Sequence, residues 1–247
     1  MILAAGLGTR LRPLTNDRPK ALVEVAGYTM LELTLLRLRA SGICEVIINA
    51  HHFAEMLAAY LRVHANFGMR IEISYEEVLL DTGGGIKRAA HFFLGSDEPF
   101  LVHNVDVLST IDFSRMLQFH MDHNALATLA VQDRPTSRLL LFDNNDQLCG
   151  RRTGPLGDSE LVRPVSAPPA LAFSGIHILS PRVFALINQN DAFSIIPAYL
   201  RLAAQNEPIF GFRADRYYWR DLGRPEHIAD AARDIEQGIY SHQSHQN

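Results

Sequence analysis

The chain has 247 residues, of which 47% are apolar and 20% are charged, and its formal net charge is −4. This composition supports a folded core and excludes the disordered and fibrous classes of protein. The slight acidic excess argues against a nucleic-acid-binding protein, because such proteins carry a basic excess or a basic stripe.

The sequence contains no signal for a membrane span or a secretory leader. No apolar run reaches the roughly 18 residues that a bilayer crossing needs, and the short apolar start, 1–5, has no positive charge before it. The two cysteines, Cys44 and Cys149, are too far apart in sequence to indicate a zinc site or a disulfide framework. We therefore expect a soluble cytoplasmic protein, a monomer or a homodimer, that binds neither membranes nor nucleic acid.

The first hundred residues alternate between predicted strands and predicted helices. Short apolar runs predict strands at 2–5, 45–49, 71–75 and 100–103. Apolar residues at helical spacing predict helices at 29–40, 53–61 and 85–93. This alternation is typical of βαβ units, in which helices cover both faces of a parallel sheet.

The second half of the chain is richer in predicted strands. We predict strands at 127–132, 139–142, 171–179 and 209–212, and helices at 195–204 and 225–237. A turn is predicted at 143–146, and the Gly/Pro-rich stretch 153–169 reads as an excursion of the kind that often forms part of a site. Because no linker divides the chain, we predict a single domain over 1–240 and a disordered tail over 241–247. The expected fold is an α/β three-layer sandwich with a mixed, mostly parallel central sheet.

A glycine-rich loop with four basic residues follows the first predicted strand, at 6–20. Glycines let the backbone approach a phosphate, and the basic side chains neutralise its charge. The loop is not a dinucleotide fingerprint, because Leu11 stands where the third glycine would be, and no Walker motif occurs. Only two of the 23 basic residues are lysines, and one of them, Lys20, ends this loop. The sequence therefore predicts a phosphate-binding loop.

The loop resembles that of the sugar-1-phosphate nucleotidyltransferases, and the similarity runs from Met1 to about Ile235. The specific part is Leu-Ala-Ala-Gly-Leu-Gly-Thr-Arg-Leu-Arg-Pro-Leu-Thr, followed by Arg-Pro-Lys, with Arg10 and Lys20 ten positions apart. The resemblance implies a Rossmann-like nucleotidyltransferase fold. It also implies that Arg10 and Lys20 are catalytic residues that grip the triphosphate and stabilise the charge of the leaving pyrophosphate. The neighbouring residues expected to bind the nucleotide are Ala5, Gly6, Gly8 and Thr9.

Other segments resemble further motifs of the same family. The stretch 80–86, Leu-Asp-Thr-Gly-Gly-Gly-Ile, is similar to the turn that recognises the base, which assigns nucleotide binding to Gly83 and Gly84. Glu76 matches an acidic position near the base, and Asn104 lies beside the position of a metal-binding aspartate. These residues are therefore implied to contact the nucleotide.

The remaining motifs concern the metal and the sugar. Asp106 ends a predicted strand as the family's metal-binding aspartate does, and Trp-Arg-Asp-Leu-Gly at 219–223 resembles the segment that carries the second one, here Asp221. The run Ala-Phe-Ser-Gly-Ile at 172–176 resembles the strand against which the sugar packs, which places Ser174 and Gly175 beside it. Mg²⁺ is the implied cofactor, because it takes one or two carboxylates together with substrate phosphates.

Each of these residues also has a simpler structural interpretation. Asp106 could be a turn or helix cap, the glycine triplet a turn that leads into a helix, and Asp221 a salt-bridge partner of Arg220 or Arg224. The chain also departs from the family. Val105 replaces the usual glycine before the metal-binding aspartate, and no Glu-Lys pair is recognisable on the sugar side. The sugar phosphate could instead be held by Arg138, Arg151 or Arg152.

The implied reaction joins an NTP to a sugar 1-phosphate and releases pyrophosphate. Within the family, the length and the Leu-x-Thr-Gly-Gly-Gly-Ile turn look most like N-acetylmuramate-1-phosphate uridylyltransferases of cell-wall recycling. The alternatives are mannose- or heptose-1-phosphate guanylyltransferases and cytidylyltransferases that act on phosphocholine. A hypothesis from another class is a catalytically weak nucleotide sensor, which the valine at 105 motivates.

Overall fold

A computed structural model describes residues 1–154 and 157–241 of the chain. Its contacts divide the chain into two compact units. The first unit comprises Met1–Asp81, His103–Ile111 and the residues from Tyr217 onward, and the second comprises Thr82–Val102 and Asp112–Arg216. The single domain predicted over 1–240 stays a prediction, and the disordered tail predicted for 241–247 lies, apart from its first residue, outside the described residues.

The secondary structure includes both short and long elements. The strands are β1 Ile2–Leu3, β2 Glu24–Val25, β3 Tyr28–Thr29, β4 Glu45–Ala50, β5 Arg70–Tyr75, β6 Phe100–Asn104, β7 Val107–Ser109, β8 Ala127–Gln132, β9 Arg138–Phe142, β10 Leu148–Thr153, β11 Ser159–Leu161, β12 Ala170–Leu179, β13 Ile209–Arg213 and β14 Trp219–Asp221. The α-helices are α1 Met30–Ala40, α2 Ala54–Val63, α3 Asp81–Arg88, α4 Phe113–Asp122, α5 Val183–Leu186, α6 Ile195–Ala204 and α7 Pro225–Glu236. In the described part of the chain, no helix combines the length and the apolarity that a bilayer crossing requires.

The first unit contains a parallel arrangement of strands. Ile2 of β1 lies opposite Ile48 of β4 on one side and opposite His103 of β6 on the other, and β4 pairs in parallel with β5. Residues 46–50 of β4 are all buried, as expected for a strand of a parallel sheet that is covered on both faces. The carboxyl ends of β1 and β6 consequently lie side by side, where α/β proteins usually bind their ligands.

The helix α1 shows how the local sequence determines an element of this unit. The side-chain oxygen of Thr29 accepts a hydrogen bond of 3.0 Å from the backbone N–H of Glu32, which caps the helix start. The leucines at 31, 35 and 38 form the buried stripe, and Gly42, with a φ of 82°, follows the helix end. The helix predicted at 29–40 is therefore confirmed, and the structure shows that Thr29 caps its start.

The second unit is built mainly of antiparallel strands. β12 pairs with β8 on one side and β9 on the other, and β9 continues to β10 and β11, all antiparallel. β13 alone pairs in parallel, with β8, among the strand pairs described for this unit. The predicted α/β class and its mixed central sheet are confirmed. The parallel pairs β1–β4, β1–β6 and β4–β5 belong to the first unit.

Several elements differ from the predictions in a way that has a physical cause. The helix predicted at 85–93 runs instead from Asp81 to Arg88, with a 3₁₀ turn at Ala89–Phe92 after it. The glycine triplet therefore lies inside α3 and is not a leading turn. Three glycines lower the intrinsic helix propensity and add no apolar side chain, so the spacing of apolar residues does not predict the first turn of α3. The helix α4 was not predicted, although Asp112 caps it and its buried residues Phe113, Met116 and His120 keep helical spacing.

Two buried histidines make the stability of the fold sensitive to acid. Burial lowers the pKa of His103 and the pKa of His120 to about 4, from an ordinary value near 6.5. Below about pH 6.5 the unfolded chain binds protons that the folded chain does not, so the free energy of unfolding falls as the pH falls toward 4. We expect a slope of about 1.4 kcal/mol per pH unit from each histidine.

Urea unfolding of the wild type and of His120→Gln between pH 7 and pH 4.5 measures this effect. His120 contacts the hydroxyls of Thr128 and Ser180, at 2.9 and 3.0 Å, so the variant loses stability at every pH. Its free energy of unfolding should nevertheless fall less steeply with acid than that of the wild type. Equal slopes in the two proteins would show that the pKa of His120 is the same in the folded and the unfolded chain.

Candidate active site

The phosphate-binding loop predicted at 6–20 folds back on itself around Gly8. This glycine has a φ of 62°, and a Cβ there would lie 2.9 Å from Cγ2 of Thr15 and 3.1 Å from Cβ of Lys20. The hydroxyl of Thr15 donates a hydrogen bond of 2.9 Å to the carbonyl of Gly8. The loop therefore requires glycine at this position, and the same tight packing brings its first turn against the lysine at its end.

Lys20 contacts Asp106, although 86 residues separate them. The ammonium group donates a hydrogen bond to Oδ2 of Asp106, and the side chains are only 13% and 17% exposed. A charged pair with so little exposure is weakly screened by solvent and salt. The structure thus brings together the lysine predicted to hold phosphates and one of the carboxylates predicted to hold a metal.

The second predicted carboxylate reaches the same place through a short strand pair. β14 pairs antiparallel with β7, which sets Asp221 opposite Val107, the residue after Asp106. The backbone N–H of Leu222 donates a hydrogen bond of 2.7 Å to the carbonyl of Asp106. The two aspartates, 115 positions apart in the sequence, therefore sit on neighbouring segments of one unit.

Arg10 completes this cluster beside Gly223. A Cβ on Gly223 would lie 2.7 Å from Oδ1 of Asp221 and 2.8 Å from Nη2 of Arg10. The backbone N–H of Gly223 also donates a hydrogen bond of 2.6 Å to Oδ1 of Asp221, which fixes the carboxylate. The glycine of the Trp-x-Asp-x-Gly segment thus leaves space for both the Arg10 guanidinium and the Asp221 carboxylate. We call Arg10, Lys20, Asp106 and Asp221 the charged cluster.

Gly223→Ala is a direct test of this packing. We expect kcat/KM to fall about tenfold or more, because the added methyl group displaces the Asp221 carboxylate, the Arg10 guanidinium or both. The melting temperature should change little, since both contacts are with the far ends of side chains. Gly95→Ala, whose Cβ would meet nothing within 4 Å, is the matched control. Wild-type activity in Gly223→Ala would show that these side chains are not needed where the structure has them.

The simpler interpretation, in which Asp221 forms a salt bridge with Arg220 or Arg224, is wrong. Arg220 pairs with two other aspartates, Asp230 at 3.0 Å and Asp234 at 2.7 Å, both on α7. Arg224 lies 3.7 Å from Glu226. The arginine before Asp221 therefore ties β14 to α7 and leaves the Asp221 carboxylate to the charged cluster.

Glu76 is deeply buried and links the side chain of Asn49 to the backbone of Leu80. Its exposure is 1%, and its two carboxylate oxygens accept hydrogen bonds from Nδ2 of Asn49 at 2.7 Å and from the backbone N–H of Leu80 at 3.0 Å. Asn49 in turn accepts a hydrogen bond of 2.6 Å from the N–H of Ala4, at the entrance of the loop. Asn49 was not among the predicted site residues. Its place at the end of an apolar strand was the signal for it.

The end of β6 determines where the residues before Asp106 lie. Asn104 is the last residue of β6, and its carbonyl contacts Nδ1 of His103 at 2.8 Å. Val105 is only 2% exposed, and its backbone N–H donates a hydrogen bond of 3.1 Å to the carbonyl of Leu3. The valine that replaces the usual glycine therefore belongs to the core.

The glycines assigned to the base lie in the second unit, in the first turn of α3. The backbone N–H groups of Gly83 and Gly84 donate to the carbonyl of Phe193, at 2.9 and 3.3 Å. A Cβ on Gly83 would overlap the ring of Phe193. This close packing explains glycine at 83, and the contact of the two glycines with a base stays a prediction.

The strand assigned to the sugar is irregular at the expected position. Ser174 is completely buried, with Oγ 3.4 Å from Oε1 of Gln132. Gly175 has a φ of 74° and lies where the register of β12 against β8 shifts, between Phe173 and His177. The glycine permits this bulge. Contact of the two residues with a sugar stays a prediction, and the burial of Ser174 does not favour its side chain for that contact.

Next to this strand, the second unit contains a cavity of about 500 Å³, which we call the arginine cavity. Its described lining comprises Thr136, Arg138, Leu139, Leu140, Arg151, Arg152, Thr153, Phe173, Ser194, Ile196 and Pro197. The size suits a small ligand, and the mixture of an aromatic ring, aliphatic side chains and cations suits a phosphorylated sugar. All three arginines considered for the sugar phosphate line it.

Comparison with known proteins identifies the family. The family model described as nucleotidyl transferase matches residues 1–147. N-acetylmuramate alpha-1-phosphate uridylyltransferase of Caulobacter vibrioides is 37% identical over 238 residues, which cover 92% of each chain. The chain belongs to the nucleotidyl transferase family. The uridylyltransferase of the same name from Neisseria meningitidis is 32% identical over 90% of this chain and 92% of its own.

Other relatives of this nucleotidyltransferase are longer or more distant. Mannose-1-phosphate guanyltransferase of Candida albicans is 30% identical over 92% of this chain, but the match covers 61% of that protein. Among solved structures, HddC from Yersinia pseudotuberculosis matches with a TM-score of 0.76 at 22% identity, over 95% of this chain and 97% of its own. This likeness confirms the fold.

Proposed function

We propose that this nucleotidyltransferase joins UTP to N-acetylmuramate 1-phosphate, giving the UDP-sugar and pyrophosphate, in the cytoplasm during cell-wall recycling. The observation that carries the reaction class is the charged cluster, in which two cations meet two carboxylates at the ends of neighbouring strands. The choice of substrates is supported by the relatives of that name, which match this chain over about nine-tenths of both lengths.

The chemistry consists of positioning and charge neutralisation. A phosphate oxygen of the sugar phosphate attacks the α-phosphorus of UTP, the bond from the α-phosphorus to the bridging oxygen breaks, and pyrophosphate leaves with that electron pair. The attacking oxygen is already anionic at neutral pH, so the step needs no general base. Arg10 offers a planar fork for two phosphate oxygens, and Lys20 offers a compact charge that follows the leaving group. Both act mainly by stabilising charge that develops as the bond breaks.

The donor set of the charged cluster fits Mg²⁺. Among the described residues, no group of three or more His, Cys, Asp or Glu could hold a metal ion by itself. Asp106 and Asp221 supply only oxygen, and Mg²⁺ commonly takes two carboxylates and completes its shell with phosphates and water. When bound there, the ion would add positive charge beside the nucleotide phosphates. In this proposal Lys20 holds Asp106 in place before the nucleotide arrives.

The remaining assignments follow the family motifs. The loop residues Ala5, Gly6, Gly8 and Thr9 bind the nucleotide in this proposal. Gly83, Gly84 and Asn104 add further contacts, and Glu76 belongs to the same site. The burial of Glu76 gives it an indirect part, since its carboxylate fixes Asn49 and the backbone of Leu80. We assign the sugar to Ser174, Gly175 and the arginine cavity. The enzyme is proposed to work as a monomer or a homodimer.

A second candidate is transfer of a guanylyl group to a hexose or heptose phosphate. It is favoured by the 30% identical mannose-1-phosphate guanyltransferase and by the HddC structure complexed with GMP-PN, at a TM-score of 0.75. The guanyltransferase, however, extends well beyond the segment that this chain matches. The uridylyl reaction therefore remains the first proposal.

Pyrophosphate release with a panel of substrates tests both candidates. The purified chain is assayed with each of the four NTPs against N-acetylmuramate, N-acetylglucosamine and mannose 1-phosphates in the presence of Mg²⁺. We expect the highest kcat/KM for UTP with N-acetylmuramate 1-phosphate. Preference for GTP with mannose 1-phosphate would establish the second candidate. Binding of an NTP without release on the whole panel would indicate a nucleotide sensor.

A further inference from the structure

The arginine cavity carries more positive charge than its own lining neutralises. Arg151 lies 2.6 Å from Glu160, in an exposed ion pair. In the described part of the chain, the guanidinium groups of Arg138 and Arg152 have no ion pair and no hydrogen bond, and no acidic residue belongs to the described lining. Every sugar 1-phosphate carries one phosphate group, which can pair with one of these two guanidinium groups. The other guanidinium then still lacks an anion.

Arg152 is the more enclosed of these two residues. Its side chain is partly buried, and its Nε is fully buried without a hydrogen-bond partner among the described residues. A buried donor without a partner is costly, and native structures rarely leave one unless a ligand, an ion or water completes it. Arg138, in contrast, is exposed. The cavity therefore has one guanidinium at its surface and one whose inner nitrogen can still donate to an acceptor.

We propose that Arg152 determines specificity by binding a carboxylate on the acceptor sugar, while Arg138 binds the 1-phosphate. This inference rests on the proposed function. N-acetylmuramate 1-phosphate carries a lactyl carboxylate on its ring in addition to the phosphate, and N-acetylglucosamine 1-phosphate is the same molecule without that lactyl group. A guanidinium matches a carboxylate through two parallel hydrogen bonds, and a cation with a buried nitrogen discriminates against a ligand that leaves that nitrogen unpaired.

The position of Arg152 also fits a role in selection. On β10 it lies opposite Leu139 of β9, within a hydrogen-bonded ladder, so the backbone that carries it is held on both sides. Phe173 and Ile196 add apolar surface to the same cavity, against which the body of a sugar packs. A charged group on rigid strands beside apolar walls selects for shape and charge together.

The two sugar phosphates form a matched pair for testing this inference. Dissociation constants for both, measured by calorimetry, and kcat/KM values with UTP are determined for the wild type, Arg152→Gln and Arg138→Gln. We expect Arg152→Gln to weaken only the carboxylate-bearing substrate, so that the preference for it falls by roughly 10- to 100-fold. Arg138→Gln should weaken both substrates by a similar factor and leave the preference unchanged. Arg152→Lys should keep part of the preference, because it keeps the charge.

Arg213→Gln is the control, since Arg213 pairs with Asp215 at 2.8 Å on the surface of the same unit. It should leave both substrates within about threefold of the wild type. Equal loss for both substrates in Arg152→Gln would overturn the proposal and assign Arg152 to the phosphate. An unchanged preference would remove Arg152 from recognition altogether. If the wild type releases no pyrophosphate with either sugar phosphate, the proposed function itself fails, which is a different result.

Discussion

We expect Lys20→Ala to lower kcat by roughly 10²- to 10³-fold, the usual cost of removing one preorganised charge donor. The ammonium group lies against Asp106 with only 13% of the side chain exposed, so its charge acts in a poorly solvated place. Removing it leaves the Asp106 carboxylate without its partner and takes one of the two proposed cations away from the leaving pyrophosphate. Release of pyrophosphate in steady state, with UTP and the preferred sugar phosphate, measures the loss.

The chain offers a matched control, because it contains only one other lysine. The ammonium group of Lys87 donates to the carbonyl of Gln189 at 2.7 Å and to Oδ1 of Asn190 at 2.8 Å, a purely structural set of contacts. Lys87→Ala should therefore lower stability by about 1 kcal/mol and leave kcat within about threefold. Lys20→Arg should not restore the rate, since a flat guanidinium cannot replace a compact charge. Normal turnover in Lys20→Ala would show that the site is misplaced.

Much of the fold could be predicted because local signals and packing agree. The helix α6 has the predicted bounds, Ile195–Ala204, and α1, Met30–Ala40, begins within one residue of the helix predicted at 29–40. The strands β7 and β14 were not predicted because each has only three residues, too few to show a period. Their pairing nevertheless decides the site, because it places Asp221 beside Asp106.

In the candidate site, too, the sequence motifs predict the residues but not the contacts between them. The loop motif by itself indicates Arg10 and Lys20, and the separate aspartate motifs indicate two further residues. No spacing in the sequence predicts that Lys20 contacts Asp106, because the loops between them have no fixed length. The place of Gly223 between Arg10 and Asp221 is equally invisible in the sequence, since glycine leaves no side-chain pattern. The motifs in the sequence thus identify the charged residues, and the fold shows which of them lie next to one another.

We expect Asp106→Asn to abolish activity that depends on Mg²⁺, with a fall in kcat/KM of at least about 10³-fold, because a catalytic metal ion contributes several kcal/mol of charge stabilisation. An amide is close in shape to a carboxylate but carries no charge, so it binds Mg²⁺ weakly and no longer holds Lys20 by an ion pair. Pyrophosphate release measured across a Mg²⁺ titration separates the two effects. Weaker metal binding is overcome at high Mg²⁺, whereas a misplaced Lys20 is not. Asp122→Asn, on the exposed face of α4, is the control and should behave like the wild type.

Combining this change with Asp221→Asn tests whether the two carboxylates serve one ion. If both hold the same Mg²⁺, either single variant removes most of its effect, and the double variant should be little worse than the more damaged single one. If they act independently, the losses should multiply. The same cycle with Lys20→Ala and Asp106→Asn measures the coupling of their ion pair. Retained Mg²⁺-dependent activity in Asp106→Asn would reassign the metal to other carboxylates.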